Sequence, residues 1–156
     1  MAIEYGFELG EPATVDRVVG TLARTATAFG MSEPDDVGFG GPGTELRGGM
    51  LVSVAGSTPA PLPDPVERTF GIVGVLDVLF RFDRDSDSTA QRLDMMRLVV
   101  AVLADVPGDA VLEFAGEIVW LVRQGGLLRI TSAEGYWTPE LRALLPAHEC
   151  AVLPNL

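Results

Sequence analysis

Hydrophobic and polar residues alternate along residues 3–9, IEYGFEL. Ile3, Tyr5, Phe7 and Leu9 fall on one side, Glu4 and Glu8 on the other, which predicts a strand with one solvated face. The period then lengthens. In ATVDRVVGTLARTATAFG, residues 13–30, Val15, Val18, Val19, Leu22, Ala26 and Phe29 recur at helical spacing, with Thr14 placed to cap the start and Gly30 the end. Residues 31–43, MSEPDDVGFGGPG, read as a loop, and TELRGGMLVSV as two short strands around a Gly48-Gly49 turn. In STPAPLPDPVER, the alternate prolines Pro59, Pro61, Pro63 and Pro65 argue against helix and central strand alike.

The second half repeats the order. IVGVLDVLFRF, residues 72–82, is the strongest strand pattern, with Leu76, Val78, Phe80 and Phe82 on one face and Asp77 and Arg81 on the other. A helix is predicted over 88–105. Its centre, MMRLVVAVLA, is apolar almost all round, as expected of a helix sandwiched in the fold or lying at a homodimer interface. AVLEF, EIVWLVR and LLRIT follow as a meander with turns at Ala115-Gly116 and Gly125-Gly126, and TPELRALL closes as a short helix capped by Thr138 with Pro139 in its first turn. The order is β-α-β-β, then β-α-β-β-β-α. It predicts an α+β fold in one domain over residues 1–156, two helices packed on one face of a mainly antiparallel sheet. The two related halves would divide in the proline-rich loop, residues 57–69.

Composition narrows the function classes. A chain of 156 residues with 47% hydrophobic and 21% charged residues has the make-up of a folded globular protein. No apolar run approaches the roughly 18–20 residues that cross a bilayer, and the first residues show no leader pattern, so a cytoplasmic protein is expected. One cysteine, Cys150, allows no internal disulfide and fits a reducing compartment. The net charge of −11 argues against nucleic acid and anionic membrane surfaces as partners and favours a basic protein. All 11 basic residues are arginine, which indicates a GC-rich, bacterial genome.

Several stretches raise chemistry. FDRDSDSTAQRLD sets Asp83, Asp85 and Asp87 at alternate positions and Asp94 twelfth from Asp83, close to the acidic rhythm of a calcium-binding EF-hand loop. The sixth position demands glycine and holds Ser88, and the element entering is a strand, so the pattern departs from the template. The reading preferred is a helix start, Ser88 and Gln91 forming a capping box with Asp85 and Asp87 at the positive helix end. A small-ligand- or metal-responsive domain using loop 83–94 is the alternative. GFGGPG, residues 38–43, matches G-x-G-x-x-G only in letters: it neither follows a buried strand nor opens a helix, and reads as a flexible loop. His148 and Cys150 lack further ligands or an orienting partner and read as a partly buried structural pair. Asp77 in its apolar strand is expected to pair with Arg81. Tyr136 and Trp137 are expected to close the core. No catalytic residue, metal site or cofactor emerges.

The segment LDMMRLVVAVLADVPGDAVLEFAGEIVWLVRQGGLLRI, with the opening MAIEYGFEL, resembles bacterial immunity proteins of the Sit type, the antidotes of swarming-inhibition toxins. The likeness covers about residues 72–131 and the first strand; residues 31–70 match nothing. It carries no catalytic residue. It implies a non-enzymatic cytoplasmic protein that binds and neutralises a cognate toxin, and an acidic binder suits the basic cleft of a nuclease toxin. Contact is expected through the acidic loops: Glu33, Asp35 and Asp36, then Asp64 and Glu67, with Asp83, Asp85 and Asp87.

Overall fold

The computed structural model describes residues 2–36 and 38–156, except for the side chain of Asp36. Strand β1 (Ile3–Gly10) leads into helix α1 (Val15–Ala28), a short strand β2 (Thr44–Glu45) and β3 (Leu51–Gly56). A small helix α2 (Pro65–Phe70), strand β4 (Gly74–Phe82) and the long helix α3 (Ser88–Asp105) follow. The chain ends with β5 (Ala110–Phe114), β6 (Ile118–Gln124), β7 (Leu127–Thr131), α4 (Pro139–Ala143) and β8 (Glu149–Ala151). The strands form one eight-stranded sheet in the order β2-β3-β4-β1-β5-β6-β7-β8, antiparallel throughout except for β7 with β8. The predicted α+β class with α1 and α3 on one face holds.

The two halves do not keep to themselves. β4 inserts between β1 and β3, and β1 lies between β4 and β5. The crossover β1-α1-β3 therefore passes over β4, and β4-α3-β5 passes over β1. These six elements have the interlocked split-βαβ arrangement of ferredoxin-like folds. Both crossovers bring their helices to the same face, where α1 and α3 pack together. Tyr5, Phe7 and Leu9 of β1 and Val78 and Phe80 of β4 are buried beneath them. α3 sets Met95, Met96, Leu98, Val99, Val102 and Leu103 inside. Its all-round apolar character is consumed within the fold, as sandwiching requires.

Both tight turns follow backbone chemistry. Ala115 (φ 57°) with Gly116 (φ 73°), and Gly125 (φ 57°) with Gly126 (φ 82°), give the paired positive φ that matches the twist of a hairpin. In β6 the register jumps opposite Leu112 and Glu113, and this bulge turns Trp120 and Leu121 to the same core. Trp120 then meets Tyr5 at 5.4 Å, Tyr136 at 5.3 Å and Trp137 at 5.5 Å between ring centroids, so Tyr136 and Trp137 close the core as expected.

Four local expectations are corrected. Pro65 does not exclude helix: it occupies the first turn of α2, where its missing N–H is no loss, and Asp64 caps it. The loop 38–43 is anchored and not free, since Phe39 is fully buried and Gly40 bridges Val54. Of the pair expected to be partly buried at 148–150, His148 is half-buried just before strand β8, but Cys150 within it is exposed. The face of β1 opposite the helices is not uniformly solvated either. Val66 and Phe70 of α2, with Leu153 and Leu156 of the C-terminal tail, pack on that side against Ile72, Val111, Val119 and Val122. No helix among the described residues is long and apolar enough to cross a membrane.

Candidate functional site

The predicted acidic positions do not converge on one place. Glu33 forms an ion pair with Arg47. Asp35 stands exposed in a single 3-10 turn, and the side chain of Asp36 lies outside the described residues. Asp83 is bound locally: its carboxylate accepts the Asp85 N–H at 3.1 Å and the Ser86 hydroxyl at 2.6 Å, and these bonds, the hydroxyl first, lower its pKa. It also neighbours Gly49, two residues after Arg47, so Glu33 and the 83–87 turn share one end of the sheet. Asp64 and Glu67 belong elsewhere, at α2 on the sheet's second face.

The start of α3 is capped, but by different residues than expected. Asp87 is the N-cap, its Oδ1 accepting from Thr89 N at 2.9 Å and Ala90 N at 3.2 Å. Ser88 is the first helical residue. Gln91, buried to 1% exposure, reaches past the cap. It accepts from Asp83 N at 2.8 Å and donates to Asp83 O at 2.9 Å, tying the strand end to the helix. Asp94 accepts from Arg97 at 3.2 Å. Of the metal-like rhythm, the carboxylates of Asp83, Asp87 and Asp94 are thus engaged in turn, cap and ion pair. Among the described residues no group of three or more His, Cys, Asp or Glu side chains is arranged to hold a metal ion.

A different acidic cluster forms on the second face. Glu8 on β1 stands opposite Asp77 on β4, with Glu113 on the neighbouring β5 and Asp64 at the α2 cap. Two strand glycines make room for it. A Cβ on Gly74 would lie 2.0 Å from Glu8 Oε1, and one on Gly6 would lie 2.2 Å from Glu113 Oε1. Such glycines mark a close approach that any side chain would block. Arg81 does not pair with Asp77. Its Nε donates to Glu4, directly across the ladder, at 2.7 Å. Four residues along a strand span about 13 Å, whereas direct cross-strand neighbours lie within about 5 Å.

The cluster is electrostatically crowded. Glu8 is only 9% exposed, and no hydrogen-bond donor reaches its Oε1. Burial, then the charges of Asp77 and Asp64, push its carboxyl from 4.5 up to about 8, and a hydrogen bond with Asp64 adds to the rise. Asp77 opens to solvent at the rim, yet the surrounding protein, then Asp64, raises it too. Glu113 is raised chiefly by burial, against the Gly116 N–H that it accepts. Beside the cluster a hollow of about 320 Å³ is lined by Glu4, Gly6, Leu79, Glu113, Ala115 and Gly116.

A family described as SitI3-like matches residues 3–141. The chain belongs to the SitI3-like family. The match takes in the first strand and residues 72–131, which carried the resemblance to Sit-type immunity proteins, and runs through residues 31–70, where the sequence alone offered nothing. No curated protein and no solved structure matches the chain. Every residue of the second-face cluster falls within the SitI3-like span. Of its members, Asp64 is among the contacts expected from the sequence and Asp77 is the carboxylate expected to pair with Arg81. The alternation of β1 places Glu8 on a wet face, and nothing in AVLEF marks Glu113. Gly6 and Gly74, isolated in strand patterns, were the available signal.

Proposed function

We propose that this chain is a non-catalytic immunity protein that binds a cognate bacterial toxin in the cytoplasm and neutralises it by occupying its surface. The observation that carries this reading is the SitI3-like match over residues 3–141. The net charge of −11 supports a basic partner, because complementary fields speed encounter and suppress wrong partners. The proposed contacts are acidic, at the sheet end bearing Glu33, Asp35, Asp36, Asp83, Asp85 and Asp87 and at the α2 start bearing Asp64 and Glu67.

The test is co-expression. The product of the adjacent gene is expressed in a sensitive host with and without this protein. Growth lost alone and restored together supports the proposal, and a neighbour that kills regardless overturns it. Reversal of charge at Glu33, Asp35 and Asp36 together is expected to weaken the complex, measured by titration calorimetry; unchanged affinity removes that end of the sheet as a contact.

A further inference from the structure

A carboxyl group buried to 9% exposure without a donor on Oε1 is uncommon in a native fold, because desolvated polar groups are nearly always paired. Glu8 has this situation amid like charges. From β4 it faces Asp77, from β5 Glu113, and from the α2 cap Asp64, while Arg81 of β4 is held by Glu4. Gly6 and Gly74 are also strand-weakening residues, and what they permit is the close lie of Glu113 and Glu8 over the sheet. Glu113 accepts from the Gly116 N–H, but Glu8 Oε1 is left without a donor amid these carboxyls, beside a solvent-open rim at Asp77.

We propose that this cluster of Glu8, Asp64, Asp77 and Glu113 receives a cationic side chain, a guanidinium or ammonium group, from a basic protein partner. The inference deepens the immunity reading and rests on it for the kind of partner; the site itself rests on the buried Glu8 Oε1 that no donor reaches. A planar guanidinium supplies several donors at once and suits a set of carboxylates with unused lone pairs. Entry of the cation displaces the proton held by Glu8. Binding is thereby linked to proton release and strengthens as pH rises toward and through the titration of Glu8.

The test uses the full chain with ¹³C-labelled glutamate at physiological salt, and acetyl-Arg-Arg-Arg-amide as the probe. The same peptide with citrulline in place of arginine is the uncharged control. The arginine peptide is expected to move the Glu8 carboxyl resonance and pull its titration to lower pH, with affinity falling about tenfold from pH 7 to pH 6. The citrulline peptide does neither. Glu8→Gln and Asp77→Asn each weaken binding about tenfold, whereas Glu134→Gln, an equal charge change at an exposed site elsewhere, leaves it unaltered. Asp77 is exposed, so its variant serves should Glu8→Gln disturb folding. A Glu8 titration indifferent to the arginine peptide, or equal binding by wild type and Asp77→Asn, overturns the proposal. Failure of the peptide alongside successful growth rescue sinks the cationic site at Glu8 and leaves the immunity reading standing. Failure of rescue with a responsive Glu8 does the reverse.

Discussion

At the scale of single residues, the second-face cluster shows how one position acquires unusual chemistry from its neighbours. Glu8 reads in the sequence as the polar half of an alternating strand, and that pattern correctly put Tyr5, Phe7 and Leu9 in the core. What alternation lacks is the far side. Val66 and Phe70 of α2 are more than 50 residues away in sequence, and only tertiary packing brings that helix over the sheet. The result affects stability. A carboxyl raised from 4.5 to about 8 keeps its proton in the folded chain and loses it in the unfolded one over that window. The contribution of Glu8 is thus full below about pH 4.5 and is lost as pH rises through about 8. Glu8→Gln, which stays neutral, is expected to raise the melting temperature at pH 9 and to flatten the fall between pH 5 and pH 9, read by thermal denaturation; an unaltered slope contradicts the assignment. The pairing of Asp77 with Arg81 failed for a related reason, since cross-strand partners depend on the sheet order and not on spacing along one strand.

At the scale of elements, helix starts were legible and helix ends less so. Thr14 and Thr138 cap α1 and α4 as their sequences indicate, because a cap is a local side-chain-to-backbone bond. The cap of α3 shifted by one residue to Asp87, freeing Gln91 to bind the end of β4. The other end of α3 has no glycine cap. Instead Arg123, from β6, donates to the carbonyls of Leu103 at 2.6 Å, Val106 at 2.5 Å and Gly108 at 2.7 Å. One guanidinium thereby serves the carbonyls that a helix terminus leaves open. Arg123→Met, which keeps the bulk and removes the donors, is expected to cost about 2–4 kcal/mol in urea denaturation, and Arg123→Lys to recover only part of it. No sequence pattern pointed to this role, since Arg123 lies about 20 residues from the carbonyls it serves.

At the scale of the whole molecule, class and helix placement followed from the β-α-β-β order, whereas the interleaving did not. Alternation says which face a strand buries but not which strand lies beside it. The same limit hid β8, whose three residues are mostly exposed and carry little apolar signal. Charge is the other whole-molecule property. With −11 distributed over 156 residues, association with a basic partner is expected to slow steeply as salt rises while dissociation changes little, measurable by stopped-flow fluorescence between low and physiological ionic strength. A salt-independent association rate would show that the acidity does not steer binding.

The interlocked crossovers also govern how the chain becomes a protein. β1, the first strand made, lacks its partners until β4 and then β5 have been synthesised, so its sheet closes only when residue 114 is free to pair. Such non-local pairing slows folding, because loop closure must precede the contacts that reward it. It also makes the two sides of the proline-rich segment mutually dependent templates: β3 needs β4, and β5 needs β1. Cleavage after Ala60 is expected to leave two fragments, each unstructured alone, that regain a cooperative fold when expressed together, detected by circular dichroism. The segment that looked from the sequence like a border between halves is then better understood as the place where one sheet can be split and reconstituted.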